Sequence, residues 1–158
     1  KEAIVVDTRN NGGGDLVADL QMFFTGERFL TYATEAMEVG GEPTSRWTKP
    51  IIGIFNEDMY SDGHCYASGF QDLDLGTSIG MPVPGTCSFA GWESLPNGSV
   101  WGVVPVSAKN KAGEWLENNQ TEPDIIIKNM PGVIDFGRDE QLEAAVDQML
   151  RELDERDE

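Results

Sequence analysis

The apolar positions of the chain follow two different periods. Residues 3 to 7, "AIVVD", and residues 51 to 55, "IIGIF", are short continuous apolar runs rich in β-branched side chains. Such runs predict strands buried on both faces, as in a parallel sheet. Residues 15 to 25, "DLVADLQMFFT", carry apolar side chains at helical spacing, with Asp15 placed to cap the helix. The stretch from Ser61 to about Leu73 repeats the helical period, with Tyr66, Phe70 and Leu73 on one face. A third helix is predicted from about Arg138 to Leu153, with Leu142, Ala145, Val146, Met149 and Leu153 as its apolar stripe.

Between these elements the pattern changes. "RFLTYAT" alternates and reads as a strand, and "GGEPTSRWTKP" after it reads as a loop. "TSIGMPVPGT" predicts a short strand running into a Pro/Gly loop. "GWESLPNGSVWGVVPV" predicts a hairpin turning at Pro96-Asn97-Gly98. A last strand is expected at Asp124 to Ile127. Strands and helices alternate, so the fold class is α/β: a largely parallel sheet, flanking helices and a late β-hairpin. Residues 1–158 read as a single domain. The first strand lies at the extreme start of a chain that does not begin with Met, which predicts a fragment of a longer protein.

Charge narrows the function. With 28 acidic and 11 basic residues, the formal net charge is −17. Nucleic acids and anionic membrane surfaces are poor partners for such a chain, because phosphate contacts need a basic face. No apolar run reaches the 18 residues expected of a membrane-spanning helix. No His/Cys/Asp cluster has metal-ligand spacing, so neither metal nor cofactor is expected. Cys65 and Cys87 are compatible with one disulfide or with two buried thiols.

The chemistry concentrates in "GIFNEDMYSDGHCYASGF", residues 53 to 70. Ser61 follows a buried strand and a turn and precedes a helix. A strand–turn–helix corner can hold a nucleophile at the C-terminal edge of a sheet, beside the free N–H groups of the helix start. The plainer reading is that Ser61 only caps the helix, with Asp62 and Gly63 in the first turn. The loop "TRNNGGG" after the first strand lies at the same sheet edge. Its glycines allow close backbone approach and expose N–H donors, or simply make a tight turn.

Taken in order, "IVVDTRNNGGG", "KPIIGIFNEDMYSDGHCYASGF", "LGTSIGMPVPGT" and "LENNQTEPDI" resemble the core of the tail-specific (C-terminal processing) serine peptidases. Ser-Asp-Gly and the E-N-x-x-x-x-P-D segment are most similar to the tricorn-type branch. The resemblance spans nearly the whole chain and implies a Clp protease/crotonase-like fold. It implies Ser61 as nucleophile, and an oxyanion hole from the N–H of Asp62 and that of Gly13 or Gly14. It further implies Glu117 as the glutamate that supports the catalytic network through a serine. Polypeptides or peptides are the implied substrates. The general base would come from an N-terminal segment of the same protein, and a homo-oligomer is compatible with the resemblance. The expected setting is bacterial, periplasmic or secreted in preference to cytoplasmic.

His64 is the chain's one histidine. It could serve Ser61 as base only if both lay on one helical face, within about 2.6–3.2 Å. A surface or helix-end histidine is the plainer expectation. The other branch of the resembled family uses a Ser-Lys dyad, but no lysine occurs between Lys49 and Lys109, and the matching loop reads "VPGTCSFAGW". Asp7 and Arg9 are expected to pair structurally. Glu57 and Asp58 are either solvated or available to a substrate amine, and Trp92, Trp101 and Trp115 are core or groove residues. Two other functions remain on this sequence. One is a non-catalytic peptide- or ligand-binding module; the other is an esterase or acyl-CoA-type enzyme, which would need a basic patch for the CoA phosphates.

Overall fold

The computed structural model describes residues 1–15 and 17–157, and the side chains of all of these but 157. In chain order the elements are β1 (Ile4–Asp7), α1 (Val17–Thr25), β2 (Leu30–Ala33), β3 (Glu38–Glu42), β4 (Ile51–Phe55), α2 (Asp62–Asp72), β5 (Thr77–Gly80), β6 (Ser88–Ser94), β7 (Val100–Ser107), β8 (Ile125–Ile126) and α3 (Glu140–Asp157). A short 3-10 turn at Ile134–Phe136 precedes α3.

The core is a parallel four-stranded sheet in the order β1-β4-β5-β8. The apolar run "IIGIF" became β4, and all five of its residues are buried. Successive side chains of a strand point to opposite faces, so β4 serves two cores. Ile51 and Phe55 pack with Met59, Tyr66, Ala67 and Phe70 beneath α1 and α2. Ile52 and Ile54 pack with Ile79, Ala145 and Met149 beneath α3. Phe55 and Phe70 meet edge to face, with centroids 5.6 Å apart. The absence of a Cβ at Gly53 makes room for this pair, since one would stand 3.2 Å from Phe70 Cζ.

Several sequence expectations change here. Residues 40–42, the start of the expected loop, belong to β3 and pair antiparallel with β2. Glycines disfavour strands, but pairing with β2 overrides that preference. The stripe of α3 is rotated: Leu142 and Val146 are exposed, whereas Gln141, Ala145 and Met149 are buried. Gln141 wins its buried place through hydrogen bonds, donating from Nε2 to Ile127 O (2.8 Å) and accepting at Oε1 from Arg9 (3.0 Å). The helix expected over 15–25 is described from Val17, and Leu16 lies outside the described residues. The Val17 N–H bonds to the carboxylate of Asp62 (3.2 Å) rather than to Asp15. The hairpin β6–β7 forms as expected but stands apart from the main sheet, and Trp92 and Trp101 on it are exposed. Cys65 and Cys87 form a disulfide. No helix among the described residues is long and apolar enough to cross a membrane.

Candidate active site

The turn after β4 delivers Ser61 to the start of α2 in an unusual backbone state, with φ 55° and ψ −117°. A non-glycine residue rarely holds a positive φ, and such strain persists only where the surroundings fix it. The Ser61 carbonyl accepts the N–H groups of His64 (2.9 Å) and Cys65 (3.1 Å), as a residue at a helix start should. Its side chain makes no capping hydrogen bond. The hydroxyl therefore takes no part in capping the helix it precedes, unlike that of an N-cap serine.

The glycine loop is built against this corner. The Tyr60 N–H donates to Asn11 O (2.9 Å), and the Asn10 N–H donates to Asn56 Oδ1 (2.9 Å). Loop and turn leave adjacent parallel strands, so they meet at one sheet edge. Gly13 lies against the serine: a Cβ there would stand 2.8 Å from Ser61 Cβ and 3.3 Å from Oγ. Gly63 admits Asn11 equally closely, since its Cβ would come within 2.9 Å of Asn11 O. The Gly13 N–H donates to Asn11 Oδ1 (2.9 Å). The Gly14 N–H makes no hydrogen bond among the described residues, and φ of Gly14 is +152°. Asp62 sits at the first position of α2, where the helix dipole favours negative charge. Its carboxylate ties that helix start to the start of α1.

A third segment, residues 84–88, closes the corner. Thr86 Oγ1 accepts the backbone N–H of Ser61 (3.0 Å) and donates to Pro84 O (3.3 Å). Ser88 Oγ donates to Glu117 Oε2. A carboxylate only accepts, so the Ser88 hydroxyl, having given its proton to Glu117, accepts from Ser107 Oγ (2.9 Å). Thus a serine lies against Glu117 within this chain. Asn11, Thr86 and Ser88 were not singled out in the sequence. The signal for the last two was their place in "VPGTCSFAGW", the loop aligned with the lysine-bearing loop of the other branch.

His64 is neither on the surface nor against the serine hydroxyl. It is fully buried. Nδ1 accepts the N–H groups of Thr86 (3.0 Å) and Cys87 (3.0 Å), so the ring proton sits on Nε2, 2.9 Å from Thr121 Oγ1. Burial pushes its pKa down, and the nearby carboxylate of Glu117 opposes that shift. The lysines are also placed elsewhere. Lys49 Nζ contacts Lys1 O, Lys109 Nζ lies 4.4 Å over the Trp115 ring, and Lys111 Nζ is 3.4 Å from Asp72 O.

A polar cavity of about 490 Å³ lies at the C-terminal ends of the strands, with Glu57, Asp58 and Lys128 in its lining. Arg9 crosses its floor and donates to Asp7 (2.7 Å) and to Asp139 (2.7 Å), joining the end of β1 to the start of α3. The guanidinium holds both carboxyls below their usual range.

A strained serine at a strand–turn–helix corner, packed on a glycine loop, is an arrangement suited to acyl transfer. Comparison with known proteins supplies the family. The model of Peptidase family S41 matches residues 1–127. The chain belongs to this family. Over 157 residues it is 29% identical to the tricorn protease of Thermoplasma volcanium, covering 98% of this chain and 15% of that protein. A tricorn protease crystal structure superposes with a TM-score of 0.82 at 27% identity, over 96% of this chain and 15% of that one. The photosystem II D1 C-terminal processing protease shares the fold, with a TM-score of 0.57 at 20% identity over 80% of this chain and 35% of that one. This S41 chain thus spans about one-seventh of the tricorn proteases it matches. Its parallel sheet, flanking helices and late hairpin are the fold expected from the sequence.

Proposed function

We propose that this S41 peptidase domain is the nucleophile-bearing core of a serine peptidase acting on polypeptides or peptides. Ser61 attacks the scissile carbonyl, forms an acyl-enzyme and releases the amine; water then hydrolyses the ester. The developing oxyanion is held by the N–H of Asp62 and that of Gly14, because the Gly13 N–H is spent on Asn11. Gly13 contributes the close approach. Glu117 supports the network through a serine. The reading rests above all on the backbone of Ser61, strained and with its side chain released from capping.

The general base comes from a segment outside residues 1–158. In support, both nitrogens of His64 are engaged by Thr86, Cys87 and Thr121. The Cys65–Cys87 disulfide favours an oxidising compartment, periplasmic or secreted.

A fluorophosphonate probe tests this on the isolated chain, on the longest polypeptide that contains it, and on that polypeptide carrying Ser61→Ala. The expected result is labelling of the long form, none in Ser61→Ala and little in the isolated chain. Strong labelling of the isolated chain would place the base within these residues. An unlabelled, folded long form would make this a binding module.

A further inference from the structure

We infer that His64 is a positioning residue for Ser61 and Glu117, acting through the lone pair of Nδ1 to fix the backbone of residues 86–88. This rests on the reading of Ser61 as nucleophile. His64 lies in the first turn of α2, one turn beyond Ser61. From there its ring reaches two other segments. Two consecutive backbone N–H groups, of Thr86 and Cys87, converge on Nδ1. The opposite nitrogen donates to Thr121 Oγ1, and Thr121 is itself bonded on both sides to Val83 (2.8 and 3.0 Å). Each segment carries a group that matters to the site. Thr86 holds the N–H of Ser61, and Ser88, two residues on, holds Glu117. Glu117 lies four residues before Thr121.

The arrangement is one of registration. Ser61 holds a positive φ, and its N–H is bonded to Thr86 Oγ1. Thr86 stays there because His64 holds its N–H, and the adjoining disulfide ties Cys87 back to α2. Two donors left without an acceptor, that of Cys87 buried and that of Thr86 half-buried, would turn toward other partners and carry the Thr86 hydroxyl with them. A displacement of about 1 Å at a reacting group costs on the order of 10²-fold in rate. The carboxylate of Glu117 is near enough to act on the charge of the ring.

Two amides separate acceptor from filler. Asparagine places Oδ1 near the position of Nδ1 and keeps the acceptor. Glutamine fills more of the imidazole volume but carries its amide toward Nε2. In the longest polypeptide containing this chain, His64→Gln and Thr86→Val should slow fluorophosphonate labelling of Ser61 about 10-fold or more. His64→Asn and Thr86→Ser should stay within about 3-fold of wild type. Equal rates for His64→Gln and His64→Asn, or a wild-type rate for Thr86→Val, would overturn the inference. Amide hydrogen exchange at Thr86 and Cys87 reads the clamp independently of labelling. Slow exchange in wild type and His64→Asn with fast exchange in His64→Gln supports it, and equal exchange in all three overturns it. An unlabelled wild type rejects the nucleophile reading alone, and exchange then decides the clamp.

Discussion

Substituting the three consecutive glycines one at a time should give three different results. At Gly13 an added methyl meets two obstacles. Its φ of +110° is a conformation that L side chains rarely adopt, costing about 1–3 kcal/mol. Its Cβ would also stand 2.8 Å from Ser61 Cβ and 3.3 Å from both Ser61 Oγ and Tyr60 O. Two of these neighbours belong to Ser61, the proposed nucleophile, so relief of the clash moves the serine itself. Displacement by about half an ångström to one ångström predicts a loss on the order of 10²-fold in the rate of Ser61 acylation. Gly12 is the control: nothing lies within 4 Å of its added Cβ, and its φ is not positive. Gly12→Ala should therefore label at close to the wild-type rate. Gly14→Ala also finds open space but carries a φ of +152°, so it should strain the proposed oxyanion donor without touching Ser61. The assay is the second-order rate of fluorophosphonate labelling in the longest polypeptide containing the chain, with urea denaturation of each variant as the stability reference. Wild-type labelling of Gly13→Ala, or an equal loss in Gly12→Ala, would refute the assigned contact between loop and serine.

Two predictions concern the framework. Phe70 is fully buried, edge-on to Phe55 and beside Tyr66. Phe70→Ala should cost about 3–5 kcal/mol in urea denaturation, and a loss below about 1 kcal/mol would mean that α2 does not pack on β4 as described. Arg9→Ala should lower stability at neutral pH and flatten its dependence on acid. Asp7 and Asp139 have folded pKa values held below the unfolded value, so Arg9 stabilises fully above about pH 4 and progressively less as pH falls through the lowered values. Parallel stability curves for wild type and Arg9→Ala between pH 2 and 5 would contradict the pairing.

Local pattern made much of the fold legible. "AIVVD" and "IIGIF" are apolar without interruption because both faces of a central parallel strand are covered, and that is visible in a sequence. The glycine loop and the strand–turn–helix corner were legible for the same reason: each is set by a few adjacent residues. Elements decided at a distance were misread. Residues 40–42 lie in a strand because β2 lies alongside, not because of their own preference. Gln141 took a core position on α3 because Arg9 and Ile127 supply its partners from more than ten residues away.

The sequence by itself determined the layered α/β architecture, the sheet edge at which chemistry is possible and Ser61 as the residue to ask about. Motif order was enough to indicate the peptidase family. Only the tertiary structure decided what surrounds that serine. It spent the Gly13 N–H on Asn11, set Thr86 on the Ser61 amide and placed Ser88 against Glu117. It also buried His64, expected at the surface or a helix end, and set it against Thr86, Cys87 and Thr121. The physical reason is that burial and hydrogen-bond partnership depend on which segments the fold brings together. Spacing along the chain records only which residues are neighbours within one segment.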